Sequence, residues 1–178
     1  RGKAQAFDVP FTTYVVPFDR FGRERMHRTV PESLRYTPGV WVQKTGNAHG
    51  SPYIRGFTSF RNALLIDGIR FNNSVFRDGP NQYWSEIDPH TVSRLEVVKG
   101  PASVLYGSDA IGGAVNAVLR GPEGYTDRFH GSRRLFYTFG SADESHDARG
   151  EMHFTFGDEL GILVGYTWRQ FSDLEAGG

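Results

Sequence analysis

The chain has 178 residues, with 20 Lys and Arg balanced by 20 Asp and Glu, and it contains no Cys. Zero net charge argues against a nucleic-acid glove, since phosphate binding needs clustered, uncompensated cations. The lack of Cys excludes disulfides, thiolate zinc sites, iron–sulfur clusters and Cys nucleophiles, without fixing the compartment. No apolar run reaches the roughly eighteen residues of a transmembrane helix, although a membrane β-strand, with its weak alternation, escapes that test. With 22 Gly, 9 Pro, 14% aromatic and 38% hydrophobic residues, the composition describes a turn-rich, strand-rich chain with modest core material. Its aromatics argue against disorder.

The chain opens at Arg1 with no initiator Met and no charged–apolar–small leader, the pattern expected of a mature or trimmed product. Thr12 to Val16 reads as a short strand between Pro10 and Pro17. Thr29 is placed as an N-cap, with Glu32 completing a capping box and Pro38-Gly39 stopping the helix. Val40 to Gln43 is a strand, residues 46–52 are loop by composition, and residues 53–57 form a short strand. Ala63 to Ile66 runs into the hairpin dipeptide Asp67-Gly68 and returns over Ile69 to Phe71. Residues 72–83 form a polar loop, long enough to suggest a function. Asp88 caps a short helix with Pro89 at its first position. Leu95 to Val98 is a strand, Ala102 to Tyr106 a short helix closed by Gly107, Gly112-Gly113 a tight bend, and Ala114 to Leu119 another strand. Residues 1–120 thus form a small α+β domain.

Beyond Gly121-Pro122 the pattern changes to strict alternation. Leu135, Tyr137 and Phe139 share one face of residues 133–140. Met152, Phe154 and Phe156 share one face of 149–157, opposite Glu151, His153 and Thr155. Leu160, Ile162, Val164, Tyr166 and Trp168 share one face of 160–169. Residues 141–148 form a loose turn and Gly157-Asp158 a tight one. Three amphipathic strands of about ten residues suit a tilted membrane barrel; periodicity alone leaves open three strands of a soluble sandwich.

Four blocks occur in an order and spacing that resemble the plug domain of TonB-dependent outer-membrane receptors. They are residues 28–43 (RTVPESLRYTPGVWVQ), 53–57 (YIRGF), 64–74 (LLIDGIRFNNS) and 95–116 (LEVVKGPASVLYGSDAIGGAVN). The resemblance spans roughly residues 7–120. It implies a mixed-sheet plug over residues 1–120, with residues 121–178 as the first strands of an incomplete transmembrane β-barrel in the bacterial outer membrane. The family's barrel has about 22 strands. The implied activity is ligand-gated, energy-coupled uptake of an iron complex, as siderophore or haem, or of a similar scarce nutrient. The implied partners are a TonB-type energy-coupling protein, outer-membrane lipid and the ligand, with no nucleic acid, no cofactor and no enzymatic activity. The energy-coupling box is expected upstream of the plug. Alternatives are a soluble α+β ligand-binding module and a receptor that mainly signals.

The resemblance makes Arg55 and Lys99, with Glu96 near them, candidate plug–barrel contacts; a solvated surface cation is the plainer reading of each. The loops at 46–52, 58–62 and 72–83 are expected to face ligand. Their candidate contacts are His49, Phe60, Arg61, Phe76, Arg77 and Tyr83, with Trp84 beside them, a mix of rings and cations suited to an anionic aromatic ligand. The competing reading puts Tyr83 and Trp84 in the domain's own core. Other chemistry fails on spacing. Gly107 to Gly112 begins like a phosphate loop but continues Gly113-Ala114, not Lys-Ser. The six His lack zinc spacing, so no metal site is expected. His49 and His90 are read as solvated rather than as haem ligands. Asn72-Asn73-Ser74 is an idle glycosylation match. No Ser–His–Asp set has a nucleophile-elbow context, so no catalytic residue is assigned.

Overall fold

A computed structural model describes residues 12–18, 27–46, 49–71 and 83–172. The chain divides into two compact units, residues 1–119 and 120–178.

The first unit is organised by a five-stranded mixed sheet in the order β1-β6-β7-β4-β5. Its strands are β1 (Thr12–Pro17), β4 (Asn62–Ile66), β5 (Ile69–Arg70), β6 (Val92–Lys99) and β7 (Gly113–Leu119). The β4–β7 pair is parallel and the other pairs are antiparallel. A separate hairpin joins β2 (Val40–Gly46) to β3 (His49–Ile54). Strand alternation gives the sheet two faces. Leu64, Leu95, Val97, Val115 and Ala117 enter the main core with Val30, Leu34, Ile54 and the fully buried Trp84. Ala63, Leu65 and Ala114 meet Ala102 and Ala110 in a thinner second core, which the short helix α2 (Ser103–Tyr106) closes.

Local chemistry explains the turns. Asp67 and Gly68 link the paired residues Ile66 and Ile69 with φ of 48° and 79°. This two-residue reversal suits the right-handed strand twist. Arg55 and Gly56, with φ of 52° and 84°, make the same reversal between the bridged residues Ile54 and Phe57. Gly113 serves a different need. It opens β7, and a Cβ there would collide with the Val98 carbonyl oxygen on β6, so glycine lets two central strands approach. The chain bends at Ile111 and Gly112 as expected, and Gly113 adds a close-packing site.

Five expectations need correction. The strand expected over residues 53–57 ends at Ile54, where Arg55 and Gly56 turn the chain. Residues 49–52 are strand, not loop: Ser51 and Pro52 pair with Gln43 and Val42. The one-turn helix α1 (Val30–Ser33) carries no side-chain cap from Thr29. Instead Glu32 accepts from the Arg28 backbone N–H at 2.9 Å and from Lys44 Nζ at 2.9 Å. The turn before β9 is only residues 141–144, because Ser145 already pairs with Gly140. The next turn takes in residues 157–159, since Phe156 pairs with Leu160.

Burial alone would raise the Glu32 pKa, but the hydrogen bonds from Lys44 and Arg28 outweigh it and hold the carboxyl below its ordinary value of 4.5. Its contribution to stability is therefore complete above that value and is lost as pH falls through the depressed pKa. The stability difference between wild type and Glu32→Gln should shrink as pH drops below about 4.5. A difference independent of pH from 6 to 3, read by hydrogen exchange of α1 and β2 amides, would contradict this.

The second unit is a three-stranded antiparallel sheet of β8 (His130–Gly140), β9 (Ser145–Phe156) and β10 (Leu160–Gln170), with β9 central. The alternation read from the sequence holds. Leu135, Tyr137, Phe139, Met152, Phe156, Ile162, Val164, Tyr166 and Trp168 are exposed, with Phe154 half-buried in the same row. The opposite face of β9 buries Arg149, Glu151, His153 and Thr155.

Candidate functional site

Two segments expected to face ligand are pinned to one strand, β3. At its start, Gly50 donates its N–H to Ser85 Oγ at 2.9 Å, and Ser85 Oγ donates back to the Gly50 carbonyl at 3.2 Å. This exchange holds the 3₁₀ turn Tyr83–Glu86 against β3, bringing the segments of His49 and Tyr83 together. Further along, Thr58 Oγ1 donates to the Pro52 carbonyl at 3.1 Å and lies 3.0 Å from Ser51 Oγ. The next turn, Ser59–Arg61, follows directly. There Phe60 is 36% exposed, and the Arg61 guanidinium lies 4.7 Å from its ring centroid. A cation over an exposed ring offers stacking area and charge at one point.

His49 is exposed at the start of β3 and Tyr83 is half-buried. Trp84 leaves the ligand surface, because it is fully buried in the main core. Phe76 and Arg77 lie outside the described residues. Ser85, Ser51 and Thr58, which position these segments, carry no composition signal that marks them in advance.

The three candidate plug–barrel contacts sit in different surroundings. Arg55 is exposed at its reversal, and its Nη1 lies 3.1 Å from where a Cβ on Gly100 would be. Lys99 is buried. Its Nζ donates to the Pro38 carbonyl at 2.6 Å and lies 4.4 Å from the Tyr14 ring centroid. Those contacts tie β6 to β1 and to the turn before β2, and they account for a semi-buried cation within its own unit. Glu96 joins neither of the other two. It accepts from Arg94 Nε at 3.0 Å and from Asn116 Nδ2 at 3.1 Å.

The second unit holds a charged cluster, of which sequence reading placed only Glu151 and His153 on one face. Glu151 accepts from Arg149 Nε at 2.8 Å, contacts His153 Nε2 at 3.0 Å and pairs with Arg134 from β8. Arg149 also donates to Thr167 on β10 at 2.8 Å. Gly165 makes room for it, since a Cβ there would lie 2.5 Å from Arg149 Nη2. The register creates the cluster by setting Arg134 opposite Glu151 and Arg149 opposite Thr167. Among the described residues no group of three or more His, Asp or Glu is placed to hold a metal.

The sequence matches the family model of the TonB-dependent receptor plug domain over residues 5–114. It is 32% identical over 126 residues to the vitamin B12 transporter BtuB of Vibrio vulnificus, covering 67% of this chain and 20% of that protein. It is 39% identical over 100 residues to the iron-regulated outer membrane virulence protein of Vibrio cholerae serotype O1, covering 54% of this chain and 15% of that protein. The chain therefore spans a fifth or less of these curated relatives. Among solved structures, the hemophore receptor HasR of Serratia marcescens superposes with a TM-score of 0.75 at 20% identity, over 95% of this chain and 26% of that one. The siderophore receptor PiuA of Acinetobacter baumannii superposes with a TM-score of 0.64 at 23% identity, over 92% and 21%. At such identities the structures bear on the fold alone. With the family match covering more than half of its residues, a mixed-sheet plug unit and the opening strands of a barrel, the chain belongs to the TonB-dependent receptors of the bacterial outer membrane.

Proposed function

We propose that the protein to which this chain belongs takes up an iron complex, or a similar scarce nutrient, by ligand-gated and energy-coupled transport. The observation that carries this reading is the plug fold followed in one chain by strands with an apolar exposed face and a charged opposite face. The relatives are named for vitamin B12, siderophore and hemophore–heme reception, which supports a bulky nutrient. Ligand binds over the segments pinned to β3, with Phe60 and Arg61 as contacts and with His49 and Tyr83 beside them. Phe76 and Arg77 are assigned as further ligand contacts. Binding then frees the N-terminal segment to add as a strand to a TonB-type partner. The plug acts as a gate and not as a catalyst. Growth of a deletion strain on a panel of iron sources and cobalamin tests this. The expected result is loss of growth on one source, restored by the gene; unchanged growth on every source overturns it.

In this reading the aromatic face of β8–β10 meets lipid. A nitroxide at Val164→Cys in the full receptor should collide with oxygen far more readily than with a water-soluble nickel chelate. The reverse order would place that face in water. Arg55 is assigned to the plug seat, as a cation held at a constrained reversal. Arg55→Ala should raise the passive conductance of the purified receptor and leave its barrel assembled. Unchanged conductance would return Arg55 to the solvated surface.

A further inference from the structure

We propose that residues 121–129 are a fixed strap, anchoring the exit from the first unit to the strand sheet, so that remodelling of the first unit ends at Leu119–Arg120. The compact boundary falls just before this segment rather than inside it. Three positions on three strands each receive one part of it. On β10, Gly161 lies under the strap: a Cβ there would fall 2.7 Å from Pro122 Cβ and would collide with the Tyr125 hydroxyl. On β9, Thr155 is fully buried and its Oγ1 donates to the Gly124 carbonyl at 3.1 Å. On β8, the Phe129 ring packs beside Gly131, where a Cβ would make ordinary contact with it at 3.7 Å.

The anchoring uses both faces of the sheet. Gly161 and Thr155 belong to the face opposite the aromatic rows. Phe129 lies on the aromatic side, with its ring centroid 5.1 Å from Phe156 and 6.4 Å from Phe154. The strap is shaped internally as well. Gly124 has φ of 83°, and a Cβ there would sit 2.6 Å from the His130 ring, so a larger residue is excluded by both strain and contact. Thr126 Oγ1 donates to the Arg128 carbonyl at 2.9 Å. A linker free to swing needs none of these fittings. A segment held by ring packing and hydrogen bonding to three paired strands opens with those strands, not with the unit before it. Its role as a stop rests on the gating reading above; its attachment does not.

The test uses spin-label mobility in the full receptor in detergent, in sub-denaturing urea. A nitroxide at Asp127→Cys should stay immobilised up to the urea concentration that frees one at Met152→Cys on β9, and beyond the concentration that frees one at Arg94→Cys on β6. Gly161→Leu should mobilise the strap label at lower urea, with the β6 label unchanged. Thr155→Val, which removes the bond to the Gly124 carbonyl without adding bulk, covers the case in which the Leu variant fails to assemble, and should mobilise the strap label in the same direction. A strap label that follows the β6 label, or one unmoved by Thr155→Val, overturns the strap. None of these readouts involves transport, so failure to grow on any nutrient would count against uptake and leave the strap standing.

Discussion

Trp84→Ala should cost the first unit about 3–5 kcal/mol, the range for emptying a large aromatic site in a close-packed core. Trp84 is fully buried among Val30, Leu34, Ile54, Leu64 and Leu95, so its removal leaves a cavity bounded by the sheet, α1 and β3. The effect should also reach the candidate ligand surface, because the neighbouring Ser85 pins the Tyr83–Glu86 turn to Gly50. In the full receptor, amides at the centre of β6 should exchange about a hundredfold to several thousandfold faster, with β9 unaffected. Trp84→Phe should recover most of the loss. Its indole N–H meets no acceptor among the described residues, so no hydrogen bond is sacrificed. Exchange at β6 within about twofold of wild type would mean that Trp84 is not the keystone of this core.

Glu151→Ala should be the most damaging single change in the second unit. Glu151 is 3% exposed and sits among Arg134, Arg149 and His153. Removing this carboxylate takes a buried charged partner from Arg149, itself 8% exposed, and breaking a buried pair this way costs about 3–5 kcal/mol. Glu151→Gln keeps one of the two acceptor oxygens and should cost less, while Glu151→Ala with Arg149→Leu should recover much of the loss by removing the buried cation along with its partner. Urea titration of the refolded receptor in detergent reads all three. Equal midpoints for Glu151→Ala and wild type would show that the cluster is stabilised by something other than this carboxylate.

Legibility in the sequence followed the range of the interaction responsible. Asp67-Gly68 and Asp88-Pro89 announce their turns because the chemistry is contained within a few residues; Asp88 Oδ1 accepts from the His90 N–H at 3.0 Å as its position suggests. The three terminal strands were visible because alternation is a local pattern. Residues 49–52 were not, since Gly-Ser-Pro reads as loop and becomes strand only by pairing with β2. Pro52 is tolerated because this hairpin stands apart from the main sheet. The capping box at Thr29 gives way to a bond from the Arg28 N–H to Glu32, whose other oxygen takes Lys44, twelve residues on. Within the candidate site, Phe60 and Arg61 stood out by type, but the Ser85–Gly50 exchange spans 35 residues and no local signal reports it. The Glu151 cluster was split for the same reason: its members share one face by alternation, and only the β8–β9 register places Arg134 against Glu151.

The claim that the first unit is a gate is tested most directly by conductance. The full receptor and a form lacking residues 1–119 would be purified, and each inserted into a planar bilayer. If the unit closes the barrel, the intact receptor conducts little and the deleted form opens large, steady channels, with heat-modifiable migration showing that both barrels are assembled. An assembled deletion form that conducts no more than the intact receptor would contradict the account.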